Sequence, residues 1–263
     1  MPISIEAQLS FQLDTPVDVL LQFEAAAIPE QQVLSADTQI SQFEHFARVP
    51  AHDTIGERIW IHAQGLIEVS YRAKVAVTRM TPDIGQLKQL PPHKVPGETV
   101  QYMLDSRYCQ ANRFQHFVEA EFAGIHGGAL IVAMRDWIAE HFDYAPGSST
   151  TETTAFDSFV ARQGICRDYA QLLVSFARAS GIPARYVSCF APEVDPPDFH
   201  AIAEVFLEDS TTPGGGAWYP VDATGMADPA KMTKIGVGRD AADVSFMTAF
   251  GPATFGDKSI AVS

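Results

Sequence analysis

The sequence predicts an α+β fold, in which a β-rich first third is followed by a core where helices precede antiparallel strands. Three patterns lead to this expectation. Apolar and polar residues alternate along residues 67–77, as is typical of a half-buried strand. Apolar residues recur at helical spacing after Cys166. Two short apolar segments then follow, separated by a polar, Gly-rich connection, which indicates an antiparallel hairpin.

The first third is expected to form an all-β, sandwich-like domain. Residues 59–63 precede the alternating segment across Gln64-Gly65, a pair that indicates a hairpin turn. Residues 90–97 are rich in proline and predict a stiff linker that breaks helices. The expected division is therefore residues 1–97, an N-terminal β-rich domain with its Pro-rich linker, and residues 98–263, the core.

Residues 102–122 are expected to be helical in part, and two amphipathic helices are expected after them in the core. The first covers about residues 128–142, and its apolar stripe consists of Leu130, Met134, Trp137 and His141. The second begins near Cys166, with Ala170, Leu173, Val174 and Ala177 on one buried face. Gly181 and Pro183 end this helix.

Cys166 is a candidate nucleophile because it lies in the first turn of the second helix. The positive end of the helix dipole favours a thiolate, and a free backbone N–H at this position points where an oxyanion would form. Gly164 lets the chain turn sharply into the helix. The alternative interpretation is an ordinary buried cysteine.

His200 and Asp222 are the candidate base and its orienting carboxylate. They lie on the two strands of the expected hairpin, residues 200–207 and 217–222. Pairing Leu207 with Ala217 would make His200 and Asp222 diagonal neighbours on one face, roughly 7–8 Å apart at the backbone. The alternative interpretations are structural: His200 could be an ordinary core histidine, and Asp222 could begin a turn.

Other candidates have weaker support from the sequence. Tyr144 and Trp218 could form a wall of the site or donate to the oxyanion, or could equally pack in the core. Cys109 and Cys189 are expected to be structural. The remaining histidines and cysteines lack the spacing of metal ligands, so neither a metal nor a cofactor is expected.

Composition restricts the class of partner and the compartment. A net charge of −14 argues against nucleic acid and anionic membrane surfaces as partners. The first residues lack the basic start and apolar run of a signal peptide, and no segment approaches the roughly 20 apolar residues of a membrane span. Free thiols suit a cytoplasmic location, which is the expectation.

Several separated motifs resemble the core of bacterial transglutaminase-like cysteine enzymes. They are Gly164-Ile165-Cys166-Arg167-Asp168-Tyr169-Ala170, Gly181-Ile182-Pro183-Ala184-Arg185-Tyr186-Val187, His200-Ala201, Val221-Asp222-Ala223-Thr224 and residues 235–244. The close matches extend over about residues 130–244, and the first third more weakly resembles the β-rich domain that often precedes this core. The chain departs from the family pattern at Ile202, Gln171 and Cys189, which bears on substrate preference more than on the triad.

The resemblance implies a papain-like fold, with a Cys-bearing helix packed on an antiparallel sheet that bears His and Asp. It implies that Cys166 is the nucleophile, His200 the base and acid, and Asp222 the residue that orients the imidazole. We favour a cysteine protease or amidase that hydrolyses a protein or peptide amide through a thioacyl-enzyme. A transglutaminase with an amine acceptor and a deamidase are alternatives within the enzymes. A catalytically silent binding or scaffold protein is the alternative from another class. The oligomeric state is not predicted.

Overall fold

A computed structural model describes residues 1–263 and shows two main β-sheets with helices beside the second. The strands are β1 (Ile3–Leu21), β2 (Gln31–Ile40), β3 (His45–Pro50), β4 (Glu57–Val77), β5 (Asp143–Tyr144), β6 (Gln163–Gly164), β7 (Ala184–Phe190), β8 (His200–Glu208), β9 (Gly216–Val221), β10 (Thr233–Gly238), β11 (Met247–Ala249) and β12 (Thr254–Val262). The α-helices are α1 (Gln115–Glu121), α2 (Gly127–His141), α3 (Ala155–Ala161) and α4 (Cys166–Ala179). The α+β prediction is confirmed.

The first sheet is built on two long antiparallel strands, β1 and β4. Their pairing breaks at one level, between Leu13 and Val17 on β1, which separates each strand into two halves. One half of the sheet has the order β12-β1-β4-β2, and the other has β11-β1-β4-β3. Alternate residues of β1 and β4 from both halves bury their side chains in one shared core.

The hairpin predicted at Gln64-Gly65 is wrong. Strand β4 continues through both residues, because Gly65 adopts a positive φ of 92° opposite the break in β1. The Gln42 side chain donates to the carbonyls of Gln64 and Leu66 there. Glycine at this position therefore produces an irregularity within one strand rather than a turn between two.

The last strands of the chain belong to the first sheet. Strands β11 and β12 both pair with β1, although the intervening core contains all of the α-helices. A boundary at residue 97 remains a prediction for the N-terminal side. The structure shows that β11 and β12, within residues 247–262, also belong to the first sheet.

The second sheet is antiparallel and has the order β10-β7-β8-β9. Leu207 pairs with Ala217, which is the register expected from the sequence. Helix α4 packs on β7 and β8 of this sheet. Its residues Leu172, Leu173, Phe176 and Ala177 share one core with Ile131, Met134 and Ile138 of α2. Burying an apolar face of this size is the main source of stability for α4. None of the helices combines the length and apolarity required to cross a bilayer.

Candidate active site

Cys166 is the first residue of α4, and its side chain is half-buried. The backbone enters the helix at Ile165, whose N–H donates to Asp168 Oδ2 at 2.9 Å. Gly164 lies directly against the same carboxylate: a Cβ at residue 164 would lie 2.6 Å from Asp168 Cβ. The glycine therefore permits a close packing that fixes the first turn of α4. The N–H of Cys166 is one of the first-turn donors that have no intrahelical acceptor.

His200 and Asp222 form a buried hydrogen-bonded pair. His200 Nε2 lies 3.0 Å from Asp222 Oδ2. Asp222 also accepts from the backbone N–H groups of Thr224 and Ala227, both at 2.8 Å. Burial alone would raise the pKa of Asp222, but the hydrogen bonds and charge of His200 and the Thr224 donors hold it below its usual range. Asp222 is thus an ionised, rigidly held acceptor for the imidazole.

The other imidazole nitrogen is left without a partner. His200 Nδ1 is buried and makes no hydrogen bond, and Cys166 is a neighbour of the imidazole. Burial would lower the pKa of His200, but Asp222 and Cys166 together outweigh it and raise that pKa to about 9. The arrangement therefore favours a protonated imidazole beside an ionised carboxylate.

Tyr144 lies beside the nucleophile. Strands β5 and β6 form a short parallel pair that places Tyr144 opposite Gly164. The N–H of Ala145 donates to the Gly164 carbonyl at 2.9 Å and anchors this pair. Tyr144 is 40% exposed. Burial, and then the electrostatic interaction with Cys166, raise its pKa to about 12, so the phenol remains a hydrogen-bond donor at neutral pH.

The structure places Trp218, the other aromatic candidate, away from Cys166. It lies on β9 four residues before Asp222, a separation of about 13 Å along a strand. Its ring contacts Tyr102 and Phe206 edge-on, and the Arg185 guanidinium lies 4.1 Å from the ring centroid. Trp218 lines a cavity of about 1010 Å³ that does not include the triad residues.

Tyr186 is a neighbour of the nucleophile that sequence reasoning did not single out as a site residue. Its ring packs with Ala170 and Cys166, which share one face of α4. Of the seven tyrosines, only Tyr144 and Tyr186 have hydroxyls without a hydrogen-bond partner. The hydroxyls of Tyr71, Tyr102, Tyr108, Tyr169 and Tyr219 all have such partners. The only signal for Tyr186 in the sequence was its position in the motif that begins at Gly181.

The other two cysteines are buried and free. Cys189 lies on β7 opposite His200, and its thiol donates to the His200 carbonyl at 3.6 Å. Burial raises the pKa of Cys109 to about 12 and that of Cys189 well above its usual range. Both thiols therefore remain protonated at neutral pH, as expected of structural cysteines.

Residues 126–223 match the transglutaminase-like superfamily model. This segment is a transglutaminase-like domain. It extends from the start of α2 to just beyond Asp222 and thus includes Cys166 and His200.

A solved structure resembles the whole chain, beyond the transglutaminase-like domain itself. The "putative cysteine protease" from Cytophaga hutchinsonii superposes with a TM-score of 0.90 at 27% sequence identity, and the match covers 100% of this chain and 90% of the other. The first sheet and the transglutaminase-like domain therefore recur together in one architecture, which confirms the papain/transglutaminase-like fold.

Curated relatives match a smaller part of the chain. An uncharacterized protein of Mycobacterium tuberculosis is 33% identical over 129 residues, covering 44% of this chain and 40% of its own length. An uncharacterized protein of Mycobacterium leprae is 29% identical over 120 residues, covering 44% and 42%. The chain thus spans about two fifths of the length of these relatives.

Proposed function

We propose that this protein is a thiol-dependent acyl-transfer enzyme that hydrolyses amide bonds. The observation that supports this most directly is the His200 imidazole, whose Nε2 is bound to Asp222 and whose Nδ1 is buried without a hydrogen-bond partner, with Cys166 as a neighbour. The same three residue types in this arrangement activate a cysteine nucleophile. The description of the Cytophaga hutchinsonii protein as a cysteine protease is consistent with the proposal.

The proposed reaction begins with attack of Cys166 Sγ on the acyl carbon of the substrate. The carbonyl oxygen becomes an oxyanion, which accepts from the Cys166 N–H and from the Tyr144 hydroxyl. His200 Nδ1 donates its proton to the leaving amine as the carbon–nitrogen bond breaks, which leaves a thioester. His200 then takes a proton from water, whose oxygen attacks the thioester. Collapse releases a carboxylic acid and regenerates the thiolate–imidazolium pair.

Water is the proposed acceptor, and the substrate is a protein or peptide amide. A primary amine attacking the same thioester would make the protein a transglutaminase, and attack by water on a glutamine-derived thioester would make it a deamidase. All three reactions share the thioester. We propose a cytoplasmic location, which suits three cysteines that are all free thiols.

The proposal is tested by the rate of Cys166 alkylation by iodoacetamide against pH, with the label located by mass spectrometry. We compare the wild type with His200→Ala. A matched control is His62→Ala, because His62 also forms a histidine–aspartate pair, 2.8 Å from Asp18, on the surface of the first sheet. Rapid labelling below neutrality that His200→Ala abolishes and His62→Ala preserves supports an activated nucleophile. If the labelling rate of all three proteins instead follows the pH curve of an ordinary thiol, with a pKa of about 8.5, the result favours a catalytically silent scaffold.

A further inference from the structure

The strand end that contains His200 is packed into the core of the first sheet. Phe199, directly before His200, packs against that core, and Phe190 and Ile235 from neighbouring strands of the second sheet are buried members of it. The residues that face α4 belong to a separate cluster. The residue directly before the candidate base is therefore supported by the first sheet.

Aromatic contacts connect Phe199 to the C-terminal part of the first sheet. Its ring stacks on Phe246, with centroids 5.0 Å apart and planes 13° apart. Phe246 directly precedes β11 and also meets Phe255 of β12, at 5.6 Å. Phe190 of β7 also contacts Phe199, at 5.3 Å. Phe199 thus meets one aromatic ring from the second sheet and one from the segment that leads into β11.

An ion pair adds a second connection at the preceding residue. Lys258 of β12 donates to Asp198 at 2.6 Å. Asp198 Oδ1 in turn accepts from the Phe199 N–H at 2.6 Å. Both residues immediately before His200 are therefore fixed by groups from the C-terminal strands of the first sheet.

We propose that Phe246 and Lys258 are positioning residues that set the location of the His200 imidazole beside Cys166. This inference rests on the proposed function. His200 is the first residue of β8 and pairs with Cys189, so the ladder with β7 restrains the chain from His200 onward, while the connection from residue 191 to residue 199 has no strand partner. A displacement of 1 Å at a reacting group can cost about 10²-fold in rate. The first sheet thus affects the reaction by fixing the position of His200.

The test compares two reactions at Cys166 in the full-length protein. Acylation by p-nitrophenyl acetate is followed by nitrophenolate release and by the mass of the labelled Cys166. Alkylation by iodoacetamide against pH reports the thiolate. We expect Phe246→Leu to slow acylation about tenfold or more and to shift the alkylation profile toward that of His200→Ala. Lys258→Met should produce a smaller change in the same direction, and Lys258→Arg should restore the wild-type profile.

Two controls separate positioning from stability. Phe23→Leu removes a fully buried ring from the same core, where it packs on Tyr71 but not on Phe199. Lys231→Met removes an exposed ion pair with Glu193, on the same connection but away from His200. We expect both controls to keep the wild-type pH profile, even though Phe23→Leu lowers the melting temperature.

The inference is overturned if Phe246→Leu alters the profile no more than Phe23→Leu does, because the first sheet then contributes only stability. A wild-type protein without His200-dependent activation would refute the proposed function itself. The two failures are therefore distinguishable.

Discussion

Gly164 lies so close to Asp168 that an added Cβ would meet the Asp168 Cβ at 2.6 Å and Oδ2 at 3.0 Å. Asp168 is fully buried, and its carboxylate holds the Ile165 N–H at the entry to the nucleophile helix. The glycine thus determines where Cys166 is placed, although it has no reactive group.

Gly164→Ala should displace Asp168 and move the first turn of α4. We expect the rate of Cys166 acylation by p-nitrophenyl acetate to fall by about 10²-fold, because Cys166 would move by about 1 Å. The melting temperature should also fall. Gly97→Ala is the matched control, because Gly97 has no positive φ and no atom lies within 4 Å of the position that the added methyl group would occupy. Equal effects of the two substitutions would contradict the role given to Gly164.

Amide hydrolysis should lose rate as the pH rises through about 9. The leaving amine needs a proton from the His200 imidazolium, and the pKa of His200 is raised to about 9, so deprotonation above that pH removes the acid. Alkylation by iodoacetamide needs no such proton and should show no alkaline decline.

Asp222→Asn should move this alkaline decline to lower pH, toward the ordinary histidine value of about 6.5, because the carboxylate that stabilises the imidazolium is lost. The measurement is the pH profile of hydrolysis in both proteins. An unchanged profile in Asp222→Asn would show that the observed decline does not report His200.

Tyr144→Phe should slow acylation by about 10²-fold if the hydroxyl is the second oxyanion donor. Alkylation by iodoacetamide forms no oxyanion and should keep its wild-type rate. The measurement is the ratio of the acylation rate to the alkylation rate. Tyr219→Phe serves as the control, because the Tyr219 hydroxyl donates to Asp209 and not to the candidate site. Parallel changes in both rates would indicate an effect on the thiolate instead.

Glu204→Gln should destabilise the fold strongly. Glu204 is fully buried and pairs with Lys234 and with Arg185, the latter at 2.7 Å. Burial would raise its pKa, but the two cations outweigh that and lower it to about 2. Removing the charge leaves Arg185 with only Asp53, at 2.9 Å, and Lys234 with only Glu30, at 3.0 Å, both more exposed carboxylates. The cost in the free energy of unfolding should reach about 3 kcal/mol.

Urea denaturation of Glu204→Gln measures this loss. Glu193→Gln, which breaks the exposed pair with Lys231, should cost no more than about 1 kcal/mol. The wild-type contribution of Glu204 should persist above its unfolded pKa and disappear as the pH falls toward 2. A similar small loss in both variants would contradict the role of the buried network.

The sequence was most informative where local pattern and chain order decide the structure. Helix α4 follows from its apolar spacing and its glycine and proline stop, and the Leu207–Ala217 register follows from two facing strands of matching parity. These elements bring Cys166, His200 and Asp222 together. Their catalytic roles remain a proposal.

The features missed from the sequence depend on contacts between distant parts of the chain. Gly65 has the composition of a turn, but Gln42 and the break in β1 keep it within a strand. Trp218 lies on the strand that leads to Asp222, yet packs on Tyr102 from the segment before the helices. No local periodicity indicates that Phe246 meets Phe199, because this contact exists only after β11 and β12 have joined β1.

The return of β12 to β1 has a kinetic consequence. Strand β1 is synthesised before the transglutaminase-like domain and β12 after it, so one edge of β1 remains open while that domain is made and folds. Such a pairing between remote segments is a slow step, and the open edge is exposed to association with other chains during that time. We expect the protein to collapse around α4 first and to gain reactivity at Cys166 only when the first sheet closes, so that thiol reactivity during refolding lags behind the recovery of helical circular dichroism.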